Sequence, residues 1–134
     1  MGILVVREGK VLLGRRQGSH AAGYYATPGG HVEAGESLAA CARRELWEET
    51  GLTVTSLRLL WVGTYALADR HYVDVDLLAE ADGEPERREP EKNAGWAWYD
   101  LDALPEPLFP VSAHMIAAYG RGGSGVDLET VYRL

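Results

Sequence analysis

Short apolar runs separated by glycine turns dominate the first part of the chain. Apolar residues at 3–6 and 11–13 flank a Glu-Gly turn, and this pattern predicts a β-hairpin. After a Pro-Gly-Gly turn, apolar residues between positions 37 and 50 recur at the spacing of an amphipathic helix. Gly51 is placed to end that helix in a left-handed conformation. A brief strand around Tyr25 is expected between the hairpin and the helix.

Two long strands are predicted after the helix, at residues 57–67 and 71–80. In the second, valine and leucine alternate with Asp74 and Asp76, which is the period of a strand with one buried face. The simplest interpretation of this alternation is that both aspartates face solvent.

The C-terminal third continues with a strand at residues 96–99 and a helix that Ser112 would cap, ending before Gly120. The order of strands and helices predicts the α/β class, with a mixed central sheet between helices on its two faces. We expect one domain over residues 1–121. Residues 122–134 are expected to form a flexible linker and a tail that is either a strand or disordered.

Length and charge narrow the functional classes. A chain of 134 residues has room for one domain with a core, and its net charge of −7 argues against binding to nucleic-acid polymers. The chain has no apolar run of membrane-spanning length and no signal-peptide layout, so we expect a cytoplasmic protein that does not contact membranes. The single cysteine, Cys41, is expected to be a small buried residue.

Three carboxylates on the predicted helix provide the clearest chemical signal. Glu45, Glu48 and Glu49 fall within one arc of its surface, where they repel one another. A bound cation would remove that repulsion, and the oxygen donors suit Mg²⁺ or Mn²⁺ better than zinc. Arg44 precedes Glu48 by one helical turn and can orient it. A solvated acidic surface helix is the ordinary alternative.

The spacing of the whole stretch decides between these interpretations. It matches the Nudix box at every specified position: Gly30, Glu36, Arg44, Glu45, Leu46, Glu48, Glu49, Gly51 and Leu52. The chain therefore resembles the Nudix hydrolases, whose fold is an α/β/α sandwich. Outside the box it is most similar to MutT-like nucleoside triphosphate diphosphatases, including the human type that acts on thiopurine nucleotides. This wider likeness runs from about Val5 to Tyr119 and includes Gly18 and Ser19.

The resemblance implies roles for the residues of the box. Glu45, Glu48 and Glu49 would hold metal together with the Gly30 carbonyl, and Glu45 or a neighbour would assist deprotonation of water. Glu36 and Arg44 match positions that fix the helix and orient its carboxylates.

Relatives also contribute groups from outside the box. Arg16 matches a position near the substrate phosphates. A further acidic ligand is expected from the charged loop at residues 84–92, with Glu91 as the candidate and Glu89 in reserve.

The walls of the base pocket are expected near the glycine turn and before the last helix. The candidates are Thr27, Tyr25 and Phe109.

The reaction implied is Mg²⁺-dependent hydrolysis of a nucleoside triphosphate to the monophosphate and pyrophosphate. Relatives that cleave ADP-ribose tend to carry a proline where this chain has residues 67–69, Leu-Ala-Asp. Another nucleoside diphosphate linked to a group X stays open as the substrate, such as a nucleotide sugar, ADP-ribose or a dinucleoside polyphosphate. A non-catalytic nucleotide sensor is a third hypothesis, which the intact arginine and glutamates of the box disfavour.

Self-association is a further expectation. Small Nudix domains of this type are often homodimers, and the resemblance implies the same here. The four tryptophans and seven tyrosines are many for one small core, and surface aromatic residues favour interfaces.

Overall fold

A computed structural model describes residues 1–18 and 20–134, so that Ser19 of the Nudix-like pattern lies outside the described residues. The elements in chain order are β1 (Ile3–Arg7), β2 (Lys10–Arg16), β3 (Tyr25–Ala26), α1 (Leu38–Thr50), β4 (Thr53–Leu67), β5 (Arg70–Asp82), β6 (Asn93–Asp100), α2 (Pro110–Gly120) and β7 (Gly125–Arg133).

The strands of the described chain form one mixed sheet of seven. Its order is β3-β2-β1-β5-β4-β7, with β6 also paired to β2. The β1–β5 and β4–β7 pairs are parallel, whereas β2 pairs antiparallel with β1, β3 and β6, and β4 pairs antiparallel with β5. The predicted α/β class with a mixed central sheet is confirmed.

One helix covers each face of the sheet. Alternate residues of β1 point to opposite sides, so that Ile3 packs in a core with Leu46 of α1 and Leu4 packs in a core with Met115 of α2. None of the helices in the part of the chain described here is long and apolar enough to cross a membrane.

Local signals set both ends of α1. The Ser37 hydroxyl accepts a hydrogen bond from the Ala40 amide at 3.0 Å, which caps the first turn. At the other end, Gly51 adopts φ 76° and its amide donates to the Trp47 carbonyl, as predicted. These two caps fix the register in which the glutamates of the helix are presented.

Helix α2 begins earlier than the sequence predicts. Phe109 is the N-cap residue and Pro110 occupies the first turn, where its missing amide costs nothing. The prediction that Ser112 caps this helix is wrong, because its hydroxyl instead accepts a hydrogen bond from the Thr27 amide at 3.0 Å. Ser112 therefore ties α2 to the glycine-rich turn before α1.

The prediction that the aspartates of β5 face solvent is also wrong. Asp76 has no exposed surface, whereas Val73 on the opposite face is 74% exposed. The alternation is real, but the aspartates lie on the face that α2 covers, and the Gly2 amide supplies a hydrogen bond to Asp76 Oδ1 at 2.5 Å. Alternation alone does not reveal which face of a strand the rest of the chain covers.

The sequence predicts that the C-terminal tail is either a strand or disordered. In the structure, the residues beyond position 124 form the strand β7. An aromatic and polar chain joins this strand to the fold: the Trp61 indole donates to the Tyr65 hydroxyl at 2.9 Å, which shares a hydrogen bond with His114 Nδ1 at 2.7 Å. Tyr132 of β7 packs on the His114 ring with centroids 4.2 Å apart. The domain boundary at residue 121 stays a prediction.

Candidate active site and metal-binding residues

A cavity of about 460 Å³ opens beside the end of α1. Its wall includes Arg16, Thr27, Glu49, Asp74 and Phe109, so it brings together the glycine-rich turn, the acidic helix, β5 and the start of α2. This volume is in the range of small-molecule sites.

Arg44 connects most of the acidic side chains of the box. Its guanidinium donates to the Glu36 carboxylate through Nε at 2.6 Å and Nη2 at 2.9 Å, and to Glu45 through Nη1 at 2.6 Å. The predicted contact with Glu48 is present at 3.3 Å but is one of the longer ones. The hydrogen bonds from Arg44 lower the pKa of Glu36 to about 2, so Glu36 stays ionised and anchors the arginine.

Glu49 is in a different environment from the other glutamates. Burial, and then the nearby charge of Glu45, raise its pKa to about 8, although the Gly29 amide donates a hydrogen bond to its Oε2 at 3.0 Å. The indole of Trp96 donates to the Glu49 carbonyl at 3.1 Å and holds this turn of the helix in place. The sequence pattern gave no signal for this contact of Trp96.

Gly30 lets the backbone approach the carboxylates of α1. A Cβ at this position would collide with the carboxyl group of Glu45. The Gly30 carbonyl accepts a hydrogen bond from the Met1 nitrogen at 2.9 Å. A glycine is thus required here by close approach, as expected for a backbone group that shares a site with a side-chain carboxylate.

The donor chemistry of this region fits a divalent cation. Carboxylate and carbonyl oxygens are the ligands of Mg²⁺ and Mn²⁺, and burial raises the pKa of Glu49, so a cation bound beside it would stabilise its ionised form. Residues 1–18 and 20–134 contain no group of three or more potential ligand side chains arranged to hold a metal ion. Glu45 and Glu48 instead pair with Arg44.

The acidic loop before β6 reaches the cavity through Glu89, not through Glu91. Glu91 is exposed and is absent from the cavity wall, whereas Glu89 lines it. A turn in which the Lys92 amide donates to the Glu89 carbonyl at 2.9 Å sets which acid turns inward. The side chain of Gln17 holds this turn by donating to the Pro90 carbonyl at 2.9 Å.

Three of the four predicted substrate-binding residues meet in the cavity. Thr27 and Phe109 line it, and the guanidinium of Arg16 lies over the Phe109 ring at 4.9 Å from its centroid. Burial lowers the pKa of Arg16, an effect that the charge of Glu49 opposes. Tyr25 does not reach the cavity, because its ring packs edge-on against Tyr99 with centroids 6.0 Å apart.

Comparison with known proteins identifies the family. The sequence model of the NUDIX domain family matches residues 1–119 of this chain. The chain is 36% identical to the NAD-capped RNA hydrolase NudC of Chromobacterium violaceum, over 85% of this chain and 43% of that protein. It is 35% identical to the oxidized purine nucleoside triphosphate hydrolase of Danio rerio, over 77% of this chain and 66% of that protein.

A solved structure also resembles the chain closely. The crystal structure of the MutT NUDIX hydrolase from Burkholderia pseudomallei has a TM-score of 0.83 and 32% identity, covering 87% of this chain and 93% of that one. The chain thus spans nearly the whole of this homologue, but only 43% and 66% of the two curated relatives above.

We expect the charge of Glu49 to lower the stability of the metal-free protein at high pH. Its folded pKa of about 8 lies above the ordinary value of 4.5, so stability falls as pH rises between these values. Each pKa unit corresponds to about 1.4 kcal/mol, and the folded pKa lies about three units above pH 5. From about pH 5 to about pH 9 the Glu49→Gln variant should therefore gain on the order of 4 kcal/mol in stability relative to wild type. Urea unfolding in EDTA measures this difference.

The matched control is Glu129→Gln, which changes an exposed glutamate of β7. It should follow the pH dependence of the wild type. If Glu49→Gln does the same, the carboxylate of Glu49 is not an uncompensated buried charge.

Proposed function

The chain belongs to the Nudix family, and on that premise we propose that it hydrolyses a nucleoside triphosphate to the monophosphate and pyrophosphate. The observation that carries this proposal is the cavity itself. One part of its wall carries Glu49 and the glycine-rich turn, and another part carries the Phe109 ring. The cationic Arg16 contacts the Phe109 ring, and its charge also interacts with that of Glu49. Such a cavity offers separate surroundings for a phosphate chain with its metal and for a base.

Nudix hydrolases use divalent metal ions, and we assign Mg²⁺ here, with Mn²⁺ as a substitute. Glu45, Glu48, Glu49 and the Gly30 carbonyl would hold it, and the inward position of Glu89 supports that residue over Glu91 as the loop ligand. Bound metal would neutralise the phosphate oxygens and lower the pKa of a water molecule.

The protein groups around the metal-binding residues have their own tasks. Arg44, fixed by Glu36, holds the Glu45 and Glu48 carboxylates in one orientation. Glu45 or its neighbour Glu49 accepts the proton of the attacking water. Arg16 binds a phosphate oxygen, and its partial burial strengthens that contact.

A second candidate is a nucleoside diphosphate linked to another group, which the similarity to NAD-capped RNA hydrolase NudC favours. The complete set of Arg44, Glu45, Glu48 and Glu49 argues against a non-catalytic sensor, which has no use for it. We also propose that the activity is cytoplasmic.

A substrate panel with Mg²⁺ tests the proposal. Nucleoside triphosphates should release pyrophosphate and not orthophosphate, and should turn over faster than ADP-ribose, NAD or nucleotide sugars. Glu49→Gln should lower turnover by a factor of about 100 or more, because it removes one ligand charge, whereas Glu129→Gln should not. Turnover of ADP-ribose or NAD alone would support the second candidate, and no turnover of any substrate would support the sensor.

Arg16 should act on substrate binding. Arg16→Ala removes a cation from the cavity wall and should raise KM for a triphosphate by about ten- to a hundredfold, with a smaller effect on kcat. Arg15→Ala is the matched control, since Arg15 is the exposed neighbour on the same strand. Equal KM values in the two variants would remove Arg16 from the phosphate site. Thermal melting checks that loss of the Phe109 contact leaves the fold intact.

We further propose that the chain forms a homodimer. Exposed aliphatic residues of the sheet support this proposal more than the tryptophans and tyrosines counted in the sequence. Only Trp47 of the four tryptophans is largely exposed in the described chain, at 52%, and the Arg88 guanidinium stacks on it at 4.4 Å. Most of the exposed apolar residues are aliphatic. Val73 and Val131 both lie opposite Thr64 in the sheet, so they share one face, and they are 74% and 46% exposed.

Sedimentation velocity at micromolar concentration tests the homodimer. A species of twice 14.7 kDa is expected. A species of 14.7 kDa that persists as concentration rises would contradict it.

A further inference from the structure

Two neighbouring carboxyl groups of β5 have buried oxygens without hydrogen bonds. Asp76 has no exposed surface, and its Oδ1 accepts the Gly2 amide at 2.5 Å. Among the described residues, neither Asp76 Oδ2 nor Asp74 Oδ1 has a hydrogen-bond partner. Buried polar atoms of this kind are rare and call for an explanation.

A shared proton explains these two oxygens. Burial, and then the charge of Asp74, raise the pKa of Asp76, so Asp76 keeps its proton. A protonated carboxyl donates one hydrogen bond, which the neighbouring carboxylate accepts. With the Asp76 proton between the two carboxyl groups, Asp74 is the member of the pair that offers an acceptor oxygen.

The accessible part of this pair faces the cavity. Asp74 lines the cavity wall and 17% of its side chain is exposed, whereas its Oδ1 is buried. The Met1 nitrogen lies 3.1 Å from Oδ1, close enough for an ion pair but without the geometry of a hydrogen bond. Oδ2 is thus the atom through which the carboxylate meets a ligand.

We propose that Asp74 determines base specificity by accepting hydrogen bonds from a purine with two adjacent N–H donors, as in guanine. This inference rests on the proposed function, because the cavity that Asp74 lines also contains Glu49 and Arg16. Guanine presents N1–H and the N2 amino group side by side, and both can converge on one carboxylate oxygen. The aromatic ring of Phe109 in the same wall offers a stacking surface for a base.

The other common bases fit this acceptor less well. Adenine and cytosine place a ring nitrogen acceptor beside their amino group, and uracil places carbonyl oxygens on both sides of its single N–H. Each of these acceptors would point its lone pair at the carboxylate, and a buried charge that loses its donor is costly. A site built around a hydrogen bond discriminates strongly against ligands that cannot make it.

The test compares kcat/KM for GTP and ATP in the wild type, Asp74→Asn and Asp69→Asn. We expect the wild type to prefer GTP by about tenfold or more, and the Asp74→Asn ratio to fall by about tenfold or to invert, because an amide can pair with adenine. Asp69→Asn changes an exposed aspartate of the β4–β5 turn and should keep the wild-type ratio.

Binding of GMP and AMP to the metal-free proteins, measured by calorimetry, separates this inference from the proposed function. A preference for GMP that Asp74→Asn abolishes supports base recognition even if no triphosphate is cleaved, in which case only the proposed function fails. If triphosphates are cleaved but the ratio of kcat/KM for GTP to that for ATP is the same in wild type and Asp74→Asn, the inference about base specificity is wrong and the proposed function stands. A wild type without a guanine preference overturns it even if the variant does not fold.

Discussion

The concentration of negative charge near the end of one short helix is the constraint on which this structure depends. Glu36, Glu45 and Glu48 are compensated by the single guanidinium of Arg44, with contacts from 2.6 to 3.3 Å. Glu49 forms no ion pair with Arg44, and burial raises its pKa to about 8, although the Gly29 amide and the charge of Lys92 oppose this rise. The protein thus holds one carboxylate that would gain most from a cation, beside a cavity large enough for a substrate.

The negative charge of the β5 carboxylates is reduced in another way. No arginine or lysine forms an ion pair with Asp76 in the part of the chain described, and burial raises its pKa so that it keeps a proton. A guanidinium leaves carboxylates ionised and oriented, which suits metal ligands. A shared proton leaves one directed acceptor, which suits recognition of a donor. Of these carboxylates, Glu49 and Asp74 line the same cavity.

Contacts of residues outside the cavity wall hold its acidic loop in place. The Arg88 guanidinium stacks on Trp47 at 4.4 Å and donates to the Trp47 carbonyl at 3.2 Å, and the Glu86 amide donates to the Thr50 carbonyl at 2.8 Å. These contacts join the loop to the C-terminal turn of α1, the turn that presents Glu49. A loop rich in charge and proline is thereby positioned without any helix or strand of its own.

The sequence alone determined the features that depend on neighbours within a few residues: the hairpin turn, the caps of α1 at Ser37 and Gly51, and the spacing of its glutamates. Capping and helical periodicity act over one or two turns, so they can be predicted locally. Only the tertiary structure decided which loop glutamate turns inward and that the aspartates of β5 are buried, because Gly2 and α2 come from distant parts of the chain. Burial depends on what covers a face, and alternation along a single strand does not carry that information.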